Sequence, residues 1–359
     1  MAHVPAIDWL KGLAIVAVIC IHAKTYETTF VYLHVINRAV PIFLVLFGVT
    51  SNTFWESRGE ISLREKLREW YGRRLARLVV PIWLMAGCWW FTVMSLGMTD
   101  ALHVGWGEAI LTFMGYSPWI GPTWFITLLT QLVICFPAIR WSAIRLRPFA
   151  ALSIAALICV WSARHVWDVV EFGRRHVSTN VYPPGFFYYW VFAPRVFLYV
   201  VAGIFIARFM RSRPGLTATL IACAVWGCGV TLLVNFPVMN EELFVGPVDH
   251  QALENLLDVP LTIALLGLLV RLEPLRGNFV LRFAEFCGRS SWGIYIGHVL
   301  VFEIVHLSGQ APETGAEALR VAFAVSLLLV SVGLVVTLDR MRGTLVRRWQ
   351  YGLLGRSAL

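Results

Sequence analysis

Charge is scarce in this chain. Only 14% of its 359 residues are Asp, Glu, Lys or Arg, against 58% hydrophobic ones, and the mean hydropathy is +0.70. So little charge excludes a water-soluble multidomain protein. Several chemical signatures are missing as well. There is no GxxxxGK[ST], no GxGxxG after a strand, no GxSxG and no HExxH, which removes most support for ATP-driven transport and for hydrolysis. The cysteines number seven, show no CxxC and mostly lie in apolar runs, so they read as packing residues rather than disulfides or metal ligands. The histidines show no metal-ligand spacing, and no metal is expected. No short broken helix recurs in matching positions of two halves, the pattern that points to a secondary transporter. The formal charge of +9 is not gathered into one basic domain with interleaved aromatics, so no nucleic-acid partner is expected.

What is present is a series of apolar runs of membrane-spanning length. Ten spans are expected, at about 7–24, 34–54, 77–97, 122–139, 148–164, 186–207, 216–236, 253–271, 290–307 and 319–339, with 104–116 as a re-entrant or surface helix. The basic residues set the orientation, because Lys and Arg are retained in the cytoplasm. Of the 30, 22 fall in the even-numbered loops and the C-terminal tail. Both termini are therefore expected on the cytoplasmic side of an all-α polytopic bundle, the bacterial inner membrane being its expected location. The first span is short enough to mimic a signal peptide, but no A-x-A-like site follows and Asp8 interrupts the basic start, so it is expected to be retained.

That first span, IDWLKGLAIVAVICIHAK from Ile7 to Lys24, carries Asp8 and Lys11 at its start and His22 near its far end. At about 100° per residue, the steps from Lys11 to His22 leave the two within roughly 20° on one helix face and ~16 Å apart. Ionisable groups aligned inside a membrane helix point to a lined cavity. The plainer reading has Lys11 as a surface anchor and His22 hydrogen-bonded between helices. The cytoplasmic stretch from Glu56 to Gly72 reads as helical and leads into RRLARLVVP, where Arg74 and Arg77 stand three apart on one face. That spacing suits a grip on phosphates, or equally snorkelling to anionic lipid headgroups. Arg38 and Arg195 are the arginines that fall inside spans, each facing the bundle interior with an acidic partner or a ligand, Asp258 and Glu303 being the candidate acids. Tyr295 and His298 lie one turn apart in SSWGIYIGHVL and share a face.

Five stretches together resemble the acyltransferase-3 family, ten-helix membrane O-acyltransferases that modify glycans and related molecules. IDWLKGLAIVAVICIH resembles the family's D-x-x-[RK]-G followed by histidine; VPIFLVLFGVTSNTF resembles its aromatic second helix; RRLARLVVPIW resembles its RRxxRLxPxY motif with Arg74 and Arg77 as the paired arginines; PTWFITLLTQLVICFP, with Trp124, and SSWGIYIGHVL resemble its Trp-Phe-Leu helix and its late S-x-G-I-Y-x-x-H helix. The resemblance runs from Asp8 to His298. Two departures stand out. Lys11 replaces the usual arginine, which keeps the charge and loses the fork. Thr130 and Gln131 stand where one large branch has an acidic stretch, which places the chain in the shorter, single-domain branch and makes residues 1–359 one integral-membrane acyltransferase domain.

The resemblance implies an acyltransferase that takes an acyl group, acetyl by expectation, from cytoplasmic acyl-CoA to a hydroxyl of a glycan or related acceptor. Lys11, Arg74 and Arg77 would hold the CoA phosphates, and His22 would be the catalytic base with Asp8 orienting Lys11. An acyl-histidine intermediate is left open. Arg38, Trp124, Arg195, Tyr295 and His298 are the substrate-binding candidates. Trp106, Trp119, Trp167 and Tyr182, in the outer loops, suit stacking on sugar rings or an interfacial belt. Membrane lipid is the other expected partner, and a homo-oligomer is left open. Two further readings remain: a permease for an organic anion or glycan precursor, with Lys11, Arg38 and Arg195 as its charged pathway, and a scaffold subunit of a glycan-assembly complex.

Overall fold

A computed structural model describes residues 4–24, 35–59, 61–95, 124–176, 193–209, 216–235, 247–307 and 317–354. Among them all regular structure is helical. The helices are α1 (Pro5–His22), α2 (Ala39–Glu56), α3 (Leu63–Ser95), α4 (Trp124–Arg145), α5 (Pro148–His176), α6 (Phe197–Phe209), α7 (Leu216–Asn235), α8 (Pro247–Arg271), α9 (Phe279–Arg289), α10 (Ser291–Leu307) and α11 (Glu317–Leu354). Short 3-10 turns at Ile36–Arg38, Ala193–Val196 and Glu273–Leu275 precede α2, α6 and α9.

Among the described residues four stretches, Pro5–His22, Ile36–Glu56, Phe125–Arg145 and Glu317–Thr337, are long and apolar enough to cross a membrane. The last has a mean hydropathy of 2.5 but is only 17% buried, an apolar helix facing outward. Trp83, Phe91, Leu157, Trp161 and Leu329 are likewise exposed. An apolar exterior of this kind suits lipid and not water. The chain is a membrane protein.

Helix ends depart from the apolar runs where polar sequence continues the helix. α3 starts at Leu63, well before the expected 77, because Ser62 and Glu65 form a reciprocal cap: the Ser62 N–H donates to Glu65 Oε2 (3.1 Å) and the Glu65 N–H to Ser62 Oγ (3.3 Å). The expectation of helix between Glu56 and Gly72 thus holds from Leu63 onward. Similar extensions carry α5 to His176, α8 back to Pro247 and α11 on to Leu354, since a helix satisfies its own backbone whether its side chains meet lipid or water. Residues 104–116, Trp106, Trp119 and Tyr182 lie outside the described residues.

α1 is central, packing against α2, α8, α9, α10 and α11. Two crossings bring backbones into contact. Gly48 of α2 faces Gly203 of α6, where a Cβ on Gly203 would overlap the Val45 carbonyl; Gly288 of α9 sits on the Asp8 carbonyl of α1, while Gly12 sits on that of Ala284. Small residues allow this approach, and between lipid-facing helices such packing supplies much of the association energy. α9 was not anticipated as a helix. It is short, amphipathic and capped by Asn278, whose Oδ1 accepts from the Val280 N–H at 2.8 Å.

These contacts make a stability prediction. Gly203→Val should cost about 1–3 kcal/mol through overpacking and lower the melting temperature of the detergent-solubilised protein. Gly227→Ala, at a helical position with nothing within 4 Å of a new Cβ, should leave it unchanged or raise it slightly. Equal melting behaviour of the two variants would contradict the α2–α6 contact.

Candidate functional site

The shared face of Lys11 and His22 is real in three dimensions. Lys11, Ile15 and Val18, at successive helical spacings along α1, line one cavity of about 160 Å³, and His22 continues the same stripe one turn beyond Val18. The opposite walls come from Val40, Phe43, Phe47 and Thr50 of α2, Phe125 and Leu129 of α4, and Ser291, Trp292 and Tyr295 of α10. Arg74 of α3 completes the lining. The cavity is apolar along its length and cationic at one end.

That cationic end has a specific construction. Lys11 Nζ lies 3.6 Å from Asp8 Oδ1, and the other carboxylate oxygen of Asp8 lies 3.5 Å from Arg289 Nε. Arg289 also pairs with Glu285, which in turn holds Arg276 at 2.8 Å. Asp8 is therefore shared between Lys11 and Arg289, and Lys11 keeps only part of a counter-charge. Arg74 has less. Its guanidinium lies 4.9 Å from the Trp70 ring centre and 6.0 Å from that of Phe47, cation–aromatic contacts that fix its position. It has no carboxylate partner among the described residues, and it lies close enough to Lys11 and to Arg77 for like-charge repulsion. Two half-buried cations held on one cavity without full compensation suit an anionic ligand.

Arg77 behaves differently from its expected partner. Its side chain is exposed and does not line the cavity, while its backbone carbonyl accepts a hydrogen bond from Trp292 Nε1 at 2.9 Å. Trp292 stacks on Tyr295 with ring centres 5.6 Å apart. Arg77 thus positions an aromatic wall while Arg74 faces inward.

Beyond Tyr295 the rings continue away from the cations. Tyr295 meets His298 edge-on at 5.2 Å, and His298 meets His22 at 5.3 Å between ring centres, with Phe302 5.6 Å from His22 on another side. Tyr295 and His298 are buried. Lys11 and Arg74 thus stand at one end of a connected lining whose other end leads through Tyr295 and His298 to His22.

The in-span arginines lie in a separate cluster. Arg38 Nε is 3.7 Å from Asp258 Oδ1, and the Tyr199 hydroxyl donates to Asp258 Oδ2 at 2.8 Å. Arg195, 3% exposed, lies near Tyr199 and Cys159, and its carbonyl accepts from the Cys159 thiol. Of the two candidate acids, Asp258 is a partner of Arg38; the side chain of Glu303 lies outside those described. Neither arginine lines the cavity. Trp124 opens α4, with its side chain, like that of Trp167, outside those described. Sequence reasoning missed Arg289 and Glu285. The signal was an acid and an arginine four apart in a short stretch with phenylalanines at helical spacing, hidden by a reading in which that stretch was merely a basic loop.

Among the described residues the chain is a helical membrane protein whose first helix carries a cation on the cavity and an imidazole one turn beyond its lining. The acyltransferase-3 family model, described as an acyltransferase domain, matches residues 4–340. The chain belongs to this family, and it is an acyltransferase. No curated protein and no solved structure matches it.

The cavity makes a test that needs no substrate. With cysteine placed at Val18 or Leu129, an anionic thiol reagent should react faster than a cationic one of the same size, and Arg74→Gln should reduce that preference by about tenfold, the equivalent of ~1.4 kcal/mol. The reagent rates decide it. Indifference to reagent charge would mean that the two cations do not set the potential of the cavity.

Proposed function

We propose that this acyltransferase moves an acyl group, acetyl by preference, from cytoplasmic acyl-CoA to a hydroxyl of a glycan or related acceptor at the membrane. One observation carries the reading: Lys11 and Arg74, the latter without a carboxylate partner among the described residues, line one end of a cavity whose α1 stripe leads to His22. Anionic CoA phosphates answer the unmet positive charge. The apolar middle, with Ile15, Val18 and Phe125, accepts the pantetheine arm, and ~16 Å of helix between Lys11 and His22 is close to its extended length. Arg77, exposed beside Arg74, meets phosphate at the mouth.

In this reading His22 removes the proton from the acceptor hydroxyl as the oxygen attacks the thioester carbonyl, one imidazole nitrogen serving as the general base. The carbon–sulfur bond breaks and the CoA thiolate takes up the proton. Asp8 holds Lys11 in place while Arg289 holds Asp8. Arg38 and Arg195, in the short 3-10 turns that lead into α2 and α6, bind the acceptor, with Trp124 as a further acceptor-binding residue. Residues 1–359 act as one domain of ten spans with both termini in the cytoplasm of a bacterial cell, a topology supported by the asymmetry of the basic residues. A permease would use the same cations; release of free CoA in step with acylated acceptor separates the two.

Three variants test the chemistry. Arg74→Ala should raise the KM for acyl-CoA by an amount matching the loss of a charge-assisted contact, ~1.5–3 kcal/mol, with Arg77→Ala the milder of the pair. His22→Gln should lower kcat by about 10²- to 10⁴-fold with the protein folded and CoA still bound, because an amide hydrogen-bonds but does not take the proton. Activity of His22→Gln within a few-fold of wild type would remove His22 as the base.

A further inference from the structure

We propose that His298 is a positioning residue for His22: its Nε2 accepts a hydrogen bond from the His22 ring and stabilises the imidazolium that forms during transfer. This rests on the reading of His22 as the base. His298 is fully buried on α10, and its Nδ1 lies 3.3 Å from the Ile294 carbonyl. A carbonyl only accepts, so that contact places the ring proton on Nδ1 and leaves Nε2 as a bare acceptor. Nε2 is buried and has no hydrogen-bond partner among the described residues.

Buried polar atoms are nearly always paired, so an acceptor left bare beside a reacting group invites a donor that comes into being there. His22 supplies one. The two rings stand 5.3 Å apart between centres with planes tilted by 37°. Nitrogens turned toward each other at that spacing would be roughly 3 Å apart, within hydrogen-bond range. The surroundings are aromatic: Tyr295 lies against His298 and Phe302 against His22. In such a setting the Nε2 lone pair of His298 is the acceptor at hand for an imidazolium at His22.

The step balances without a further reactant. The acceptor oxygen gives its proton to His22 and bonds to the acyl carbon. The carbon–sulfur bond breaks, and the leaving thiolate takes the proton from His22. His298 gains and loses nothing. It holds the His22 ring in one orientation, as the acid does for the imidazole in a serine-hydrolase triad.

The experiment uses the full chain in detergent, with acetyl-CoA and the host's membrane glycan fraction as substrates. His298→Gln and His298→Asn are each made alone and in a His22→Ala background. Alone, they should lower kcat by about 10- to 100-fold with KM for acetyl-CoA within twofold; in the His22→Ala background they should cause no further loss. A multiplicative loss in both backgrounds, or a kcat within twofold of wild type, overturns the proposal. Nitrogen-15 spectra of histidine-labelled wild-type protein decide the same point without turnover. His298 must carry its proton on Nδ1, and the His22 ring signals must shift in His298→Gln; an Nε2-protonated His298 or unmoved His22 signals overturn it. If the wild type transfers no acyl group to any glycan hydroxyl, the functional reading falls, and the spectra still judge the pairing.

Discussion

The contact between α1 and α9 governs the rest of the site. Gly288 lies on the Asp8 carbonyl and Gly12 on that of Ala284, so the two helices meet backbone to backbone. That approach is what brings Arg289 to Asp8. Asp8 in turn meets Lys11, and Lys11 faces the cavity. A side chain at either glycine would push α9 outward and free Asp8 to neutralise Lys11 alone. The cationic character of the cavity therefore depends on the absence of two β-carbons at the α1–α9 crossing.

A membrane interior magnifies the consequences of such small distances. Where water does not screen charge, each ionisable group must find a partner or a ligand. The described residues meet that demand in two ways. Arg38 and Asp258 pair, with the Tyr199 hydroxyl on the same carboxylate. Lys11 and Arg74 are only partly met, by a shared acid and by aromatic faces. The first matches a cation with an acid, and the second leaves cationic charge facing a cavity. The difference is what singles out the α1 cavity among the charged places in the bundle.

Aromatic residues connect the open end to the imidazoles. Trp292 is fixed by the Arg77 carbonyl, Tyr295 stacks on Trp292, and His298 follows Tyr295 toward His22. Each member is held by its neighbour, so the orientation of His22 is tied to the middle of α3. Mutations near Arg77 would be felt at His22 through packing, without any change of charge at the ring.

The sequence by itself determined the helical class, the membrane character and the stripe that joins Lys11 to His22, because hydropathy and the 100° advance per residue are local properties of a helix. It also showed that Tyr295 and His298 share a face and that Arg38 and Arg195 need acids. It did not separate Arg74 from Arg77: spacing places both on one side of α3, but which of them meets a cavity depends on how α3 leans on α10. Nor did it reveal α9, whose eleven residues are too short and too charged to register as a span. The pairing of Arg38 with Asp258, the sharing of Asp8 with Arg289, and the meeting of His22 with His298 were decided by tertiary structure alone. Each joins residues more than 200 positions apart, and at that separation contact is set by helix crossings rather than by any periodicity along the chain.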